Sequence, residues 1–151
     1  MESSTAELIS SVILGIVASG IAIHFSLKGK KMEEDRFMKE LFQDFNARYD
    51  KLNNSLIKIS MLDPRISVDD FRKKTKLYND LIDYFNLCAE EYYWFREERI
   101  RKKVWKSWKA GMDYWYENLP ILRVVWEEEI KGNGRLSYYL DREEKDFFSR
   151  K

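Results

Sequence analysis

The chain has 151 residues, 44% of them hydrophobic and 15% aromatic, which leaves room for one domain with a single core beside an anchoring segment, and not for two. Its 27 Lys and Arg nearly balance 26 Asp and Glu; all the cations, and all the acids but Glu2 and Glu7, lie after residue 27, so that part carries only about +3, which excludes the strongly basic footprint of a dedicated nucleic-acid binder. A lone Cys88 excludes an internal disulfide and a cysteine-rich metal site, and suits a reducing compartment.

Residues 8–27, LISSVILGIVASGIAIHFSL, contain no Lys, Arg, Asp or Glu and end at Lys28, Lys30 and Lys31. At about 1.5 Å rise per residue such a helix spans roughly 30 Å, the hydrocarbon thickness of a bilayer, so the run predicts a single transmembrane helix. A cleaved signal peptide fits less well, because the start is acidic and the apolar run is longer than an h-region of about 7 to 15 residues. The positive-inside rule sets the lysine flank in the cytoplasm, which for a bacterial protein means an inner-membrane anchor with its amino terminus outside. Ser11, Gly15, Ala18, Ser19, Ala22 and Ser26 share an arc of roughly 100° on this helix, a small-residue stripe of the kind along which membrane helices pack into oligomers. His24 points away from that stripe and can snorkel to the interface. The expected organisation is therefore an anchor with basic flank over 1–31 and a cytoplasmic domain over 32–151.

Gly29 is the expected bend between them. From 32–60, Phe37, Leu41, Phe45, Tyr49, Leu52, Leu56 and Ile59 recur at spacings of four and three, which predicts a long amphipathic helix. Asp63-Pro64 breaks it, since proline cannot continue a helix and restricts the residue before it. Ser67 then suits an N-cap, with Asp69 and Asp70 at the favourable end of the macrodipole. Phe71, Leu77, Tyr78, Leu81, Phe85, Cys88, Tyr92 and Phe95 carry the next stripe to about residue 99, and Cys88 reads as a buried structural thiol.

The stretch RIRKKVWKSWKAGMDYWYEN over 99–118 interleaves bases and aromatics. On a helix Arg99, Lys102, Lys103, Lys106 and Lys109 occupy an arc of about 120°, with Val104, Trp105, Trp108, Met112 and Trp115 opposite. The tryptophans read as core. The cations form either a solvated face paired with Asp83, Glu90 and Glu97 of the preceding helix, or a binding site for an anionic ligand such as a phosphorylated molecule, RNA or lipid head groups.

Pro120 suits the first turn of a short helix carrying Ile121, Val124, Val125 and Trp126 to about Ile130. The Lys131-Gly132-Asn133-Gly134 stretch predicts a loop, and 136–151 a final, partly exposed helix. The fold class is then all-α: one transmembrane helix followed by a cytoplasmic bundle of about five helices. Glycine-rich phosphate loops, metal-ligand spacings and nucleophile–base arrangements are absent from the sequence, so no catalytic residue, metal site or cofactor is expected and the protein reads as non-enzymatic. The adjacent acids Glu90-Glu91 and Glu97-Glu98 read as solvating their helix.

The order of membrane helix, basic flank and amphipathic helix, then LIDYFNLCAEEYYWF, VWKSWKAGM and an ENLP turn, resembles small membrane-anchored bacterial proteins with a helical domain of unknown function. In layout it is similar to phage-defence effectors, both abortive-infection proteins and the membrane-anchored accessory proteins of type III CRISPR systems, whose cytoplasmic domains bind cyclic oligoadenylate. The resemblance implies an oligomeric sensor or effector in antiviral defence that binds a nucleotide second messenger and acts on its membrane segment. The other expectation is a structural adaptor that tethers a protein partner to the lipid bilayer.

Overall fold

The apolar spacings of the sequence are those of helices, and a computed structural model describing residues 2–148, with side chains over 16–148, is helical in all its regular structure. The elements are α1 (Glu2–Ser60), α2 (Val68–Arg72), α3 (Thr75–Arg96), α4 (Lys102–Asn118) and α5 (Pro120–Glu129), with a 3-10 helix over Gly132–Tyr138 and no strand among the described residues. The all-α expectation holds. The chain divides into two compact units, one ending at Leu41 and the other beginning at Phe42, ten residues beyond the boundary expected from the basic flank.

In the first unit α1 runs through Gly29 without interruption, correcting the expected bend. A Cβ built at Gly29 meets nothing within 4 Å, so no packed neighbour deflects the helix there, and glycine inside a helix costs only about 1 kcal/mol. The expectation of a membrane-crossing helix over 8–27 is not met among the described residues, where no helix is long and apolar enough to cross a membrane. The part of the run with described side chains, 16–27, is closed at once by Lys28, Lys30 and Lys31, and residues 8–15 lie outside those side chains. Of the expected packing stripe, Ala18, Ser19, Ala22 and Ser26 are exposed, whereas Ser11 and Gly15 lie outside the described side chains.

In the second unit the expected stripe of α1 is buried at Phe45, Leu56 and Ile59. Ser67 caps α2, its hydroxyl accepting from the Asp70 N–H at 3.1 Å, and Pro120 opens α5. The single helix expected over 67–99 is instead two: the spacing of six between Phe71 and Leu77 breaks the helical period, and the chain turns at Lys73 and Lys74 before α3 begins. Gly132 takes a left-handed φ of +59° and leads directly into the 3-10 helix, so the expected loop is largely helical.

Among the described residues the final helix expected over 136–151 does not form beyond the 3-10 helix. Tyr139 adopts a left-handed conformation at φ +57°, and the chain beyond it is irregular over 140–148. Packing explains why: the consecutive side chains of Phe147 and Phe148 both enter the core, whereas neighbours on a helix diverge by about 100°. They meet Trp126 at centroid distances of 4.7 and 5.2 Å, and Phe85 and Tyr138 complete the ring of aromatics around the indole at 5.0 and 4.9 Å. Arg135 holds this tail by donating to the backbone carbonyls of Asp141 and Glu144.

Candidate functional site

Two places in the second unit carry chemistry that the core does not need. The first is the amino end of α4. Arg99, Lys102, Lys103 and Lys106 are all exposed and have no ion-pair partner among the described residues, while Lys109, half-buried, pairs with Asp113 one turn on. The pairing expected with α3 does not form, because Glu90 is taken by Arg48 of α1 through two hydrogen bonds of 2.6 and 2.9 Å. The opposite face packs as expected at Met112 and Trp115, which are buried; Val104, Trp105 and Trp108 are half-buried, with Trp105 stacked on Phe95 at 4.7 Å and Trp108 on Phe42 at 5.8 Å.

Arg99 is not on α4. α3 ends at Arg96, Glu98 takes a left-handed φ of +57°, and Arg99 and Arg101 lie in the connection, Arg101 at the N-cap. No side chain caps α4 and its first turn contains no acid. Arg101, Lys102 and Lys103 therefore sit at the positive end of a helix macrodipole, where cations oppose folding and an anion is favoured. A groove of about 510 Å³ opens beside them, lined by Phe95, Arg96, Glu98, Ile100, Arg101 and Lys102. The sequence reading did not include Arg101, although its place directly before two lysines at a helix start was the available signal.

The second place is a partly open cavity of about 180 Å³ between α1, α3 and α4. Asn46 and Tyr49 reach it from α1, Tyr84, Cys88 and Glu91 from α3, and Ser107 and Trp108 from α4. Glu91 is only 7% exposed and has no hydrogen-bond or ion-pair partner among the described residues, which corrects the expectation that it solvates its helix. Burial pushes its carboxyl up to about 8, opposed by Arg48 and reinforced by Glu90. The Tyr84 hydroxyl, on a side chain 2% exposed, is buried with the Cys88 thiol as its one polar neighbour; burial raises this phenol and likewise the Cys88 thiol, the expected structural cysteine. The spacing of Tyr84, Cys88, Glu91 and Phe95, at four, three and four, placed Glu91 on the buried stripe, and that was the signal missed.

A third and larger groove, of about 590 Å³, holds the ion pairs Arg48–Glu90 at 2.6 Å and Lys76–Asp80 at 3.0 Å, the Ser55 hydroxyl donating to Asp80 as well, and Lys51 and Asp83, one of each sign, also line it. Among the described residues no group of His, Cys, Asp and Glu is arranged to hold a metal ion. Compared with models of known protein families, with curated proteins and with solved structures, the chain gives no match.

Proposed function

We propose that the protein is a non-enzymatic, oligomeric membrane-anchored sensor whose helical domain binds a phosphate-bearing anion at the amino end of α4. The observation that carries the reading is the clustering of the exposed Arg99, Lys102, Lys103 and Lys106, none in an ion pair among the described residues, around a helix start without a side-chain cap or a first-turn acid. Such a cluster weakens the isolated domain through charge repulsion and the macrodipole, and it gains a purpose when an anion occupies it. The adjoining groove has the size for a nucleotide, and the resemblance of the sequence to phage-defence effectors makes a nucleotide second messenger of antiviral defence the first ligand to try.

Membrane attachment is supported by the exposed run of Ile16, Val17, Ile21, Ile23, Phe25 and Leu27, which leads directly into Lys28, Lys30 and Lys31. In water this surface is costly, and a bilayer or the small-residue face of a second copy relieves it. In this reading ligand binding acts on the anchored segment of the inner membrane.

The test is a variant carrying Lys102→Glu, Lys103→Glu and Lys106→Glu, titrated with a fluorescent linear di-adenylate and with phosphatidylserine vesicles. The expected result is salt-sensitive binding of one of the two probes by the unaltered protein and at least about a tenfold loss in the variant, with helicity unchanged. Equal binding by both proteins removes the site. A second reading, an adaptor tethering a protein partner, is favoured by Ile57 and Met61, exposed one turn apart at the end of α1, Met61 by 77%. It predicts that Ile57→Asp and Met61→Asp abolish capture of that partner while the lysine variant retains it.

A further inference from the structure

The cavity walled by α1, α3 and α4 has no part in the anion site, and its chemistry is opposite in sign. Cavities in a packed core are ordinarily apolar and empty, or polar and filled with hydrogen-bonded water. This one contains a carboxyl with no hydrogen-bond or ion-pair partner among the described residues and a phenolic hydroxyl whose one polar neighbour is the weakly hydrogen-bonding Cys88 thiol, both on side chains more than nine-tenths buried. No Lys or Arg lines it.

The charged neighbours deepen the imbalance. From α1, Arg48 acts on Glu91 from a distance, but it is bound bidentately by Glu90, lies 3.5 Å from Asp44 and makes no ion pair with Glu91. Tyr49, also from α1, accepts the Trp115 indole N–H at 3.0 Å, which fixes its ring against the cavity. From α3 come Tyr84, Cys88 and Glu90, and the lining contributed by α4, which includes Ser107, Trp108 and Gly111, carries no charge. Burial outweighs the pull of Arg48 on Glu91, Glu90 adds to the burial, and no cation lines the cavity itself, which leaves a place for one.

We infer that this cavity is a binding site for a small organic cation, a primary amine of about six non-hydrogen atoms or fewer, received by the Glu91 carboxylate and the Tyr84 hydroxyl. An ammonium group has three N–H donors and no acceptor, and the Glu91 carboxylate, the Tyr84 hydroxyl oxygen and the Asn46 side-chain carbonyl supply three acceptors in one small space. The rings of Tyr49, Tyr84 and Trp108 add the aromatic faces that attract such a cation. A neutral alcohol of equal size satisfies the hydroxyl but leaves the carboxyl unpaired.

Binding is then linked to a proton. Without ligand the buried Glu91 holds its proton up to about pH 8, and an arriving ammonium displaces it to the solvent. The apparent affinity rises by up to tenfold per pH unit from pH 6 towards 8 and levels off above that.

The experiment is calorimetric titration of the full-length protein in detergent with the n-alkylammonium series from methyl to hexyl, against n-butanol, in two buffers of different ionisation enthalpy. Saturable binding of one or more amines, proton release at pH 7 and at least a tenfold loss in Glu91→Gln are expected, with n-butanol not binding. Gly111→Leu is the second variant: a Cβ at Gly111 meets nothing within 4 Å, so the new side chain fills the cavity and blocks the amine without altering any charge. The inference is overturned if no amine in the series binds saturably. Binding that Glu91→Gln leaves unchanged, or n-butanol binding as tightly as n-butylammonium, overturns it equally.

Discussion

Phe25 and Phe85 are the same side chain in opposite circumstances. Phe25, in the apolar run of α1, is 66% exposed, whereas Phe85 in α3 is fully buried against Trp126, Tyr138 and Phe148. The second unit supplies its own apolar cover, drawing on α3, α5 and the tail to enclose one indole. The run over 16–27 has no such cover among the described residues, and its exposed Ile16, Val17, Ile21, Ile23, Phe25 and Leu27 are costly in water. The contrast teaches that hydrophobicity alone does not make a core: in one unit apolar side chains from several elements enclose one another, and in the other a single helix leaves them exposed, the surface that the proposed function assigns to a lipid or a second helix.

The strongest way to break that comparison is to remove the centre of the covered core. Trp126→Ala deletes the side chain around which Phe85, Tyr138, Phe147 and Phe148 are arranged, and a buried aromatic truncated to alanine costs about 3 to 5 kcal/mol. Urea denaturation followed by tryptophan fluorescence measures it, and a loss under about 1 kcal/mol contradicts the account of the tail as core. Membrane recovery of any protein that remains folded is expected to be unchanged.

The second prediction concerns the buried acid among the described residues. Glu91 ordinarily ionises near 4.5 and in the folded state only at about 8, so between these values the folded chain holds a proton that the unfolded chain has released. Folding stability contributed by this group is therefore full below about pH 4.5 and falls as pH rises, by roughly 1.4 kcal/mol per unit, until about pH 8. Glu91→Gln keeps the shape and removes the titration. It is expected to match the parent at pH 4.5 and exceed it by several kcal/mol at pH 9, measured by denaturation at both values; parallel pH profiles contradict it.

A smaller effect is expected at the edge of the core. The Arg96 guanidinium pairs with Glu144, donates to the Tyr139 carbonyl at 2.6 Å and lies 4.9 Å from the Tyr92 ring centroid, tying the tail to α3. Because the site is partly buried and the pair charge-assisted, Arg96→Ala should cost about 2 kcal/mol. Amide exchange should quicken first over 139–148, and uniform quickening across α3 and α5 would contradict a local tie.

The helices themselves were largely legible in the sequence. Period and capping gave the stripe of Phe45, Leu56 and Ile59, the Ser67 cap and the Pro120 start, because each depends on residues within one or two turns. The tail was not legible: Phe147 and Phe148 are placed by Trp126 and Phe85, more than twenty residues away, and tertiary packing overrides local propensity there. At the candidate sites the basic face was visible as a pattern, but the exclusion of Glu90 from it depended on Arg48, forty-two residues distant. Glu91 was misread because a pair of adjacent acids looks solvated until the face of each is assigned.

The last prediction tests the uncovered half of the comparison and has the smallest effect on the domain. Ile21 is over half exposed and touches none of the buried core, so Ile21→Asp should change the denaturation of the second unit by less than about 0.5 kcal/mol. In a bilayer the same change places a carboxylate at hydrocarbon depth, which costs about 3 kcal/mol on insertion, and the protein should shift from the membrane fraction to the supernatant or to aggregates. If the run serves instead to pack against a second copy in water, Ile21→Asp leaves the wild-type chain's location unaltered and lowers its oligomeric state. A variant that keeps both location and assembly would mean that neither lipid nor a second helix covers this surface, and the exposed run would lose its role in the proposed function.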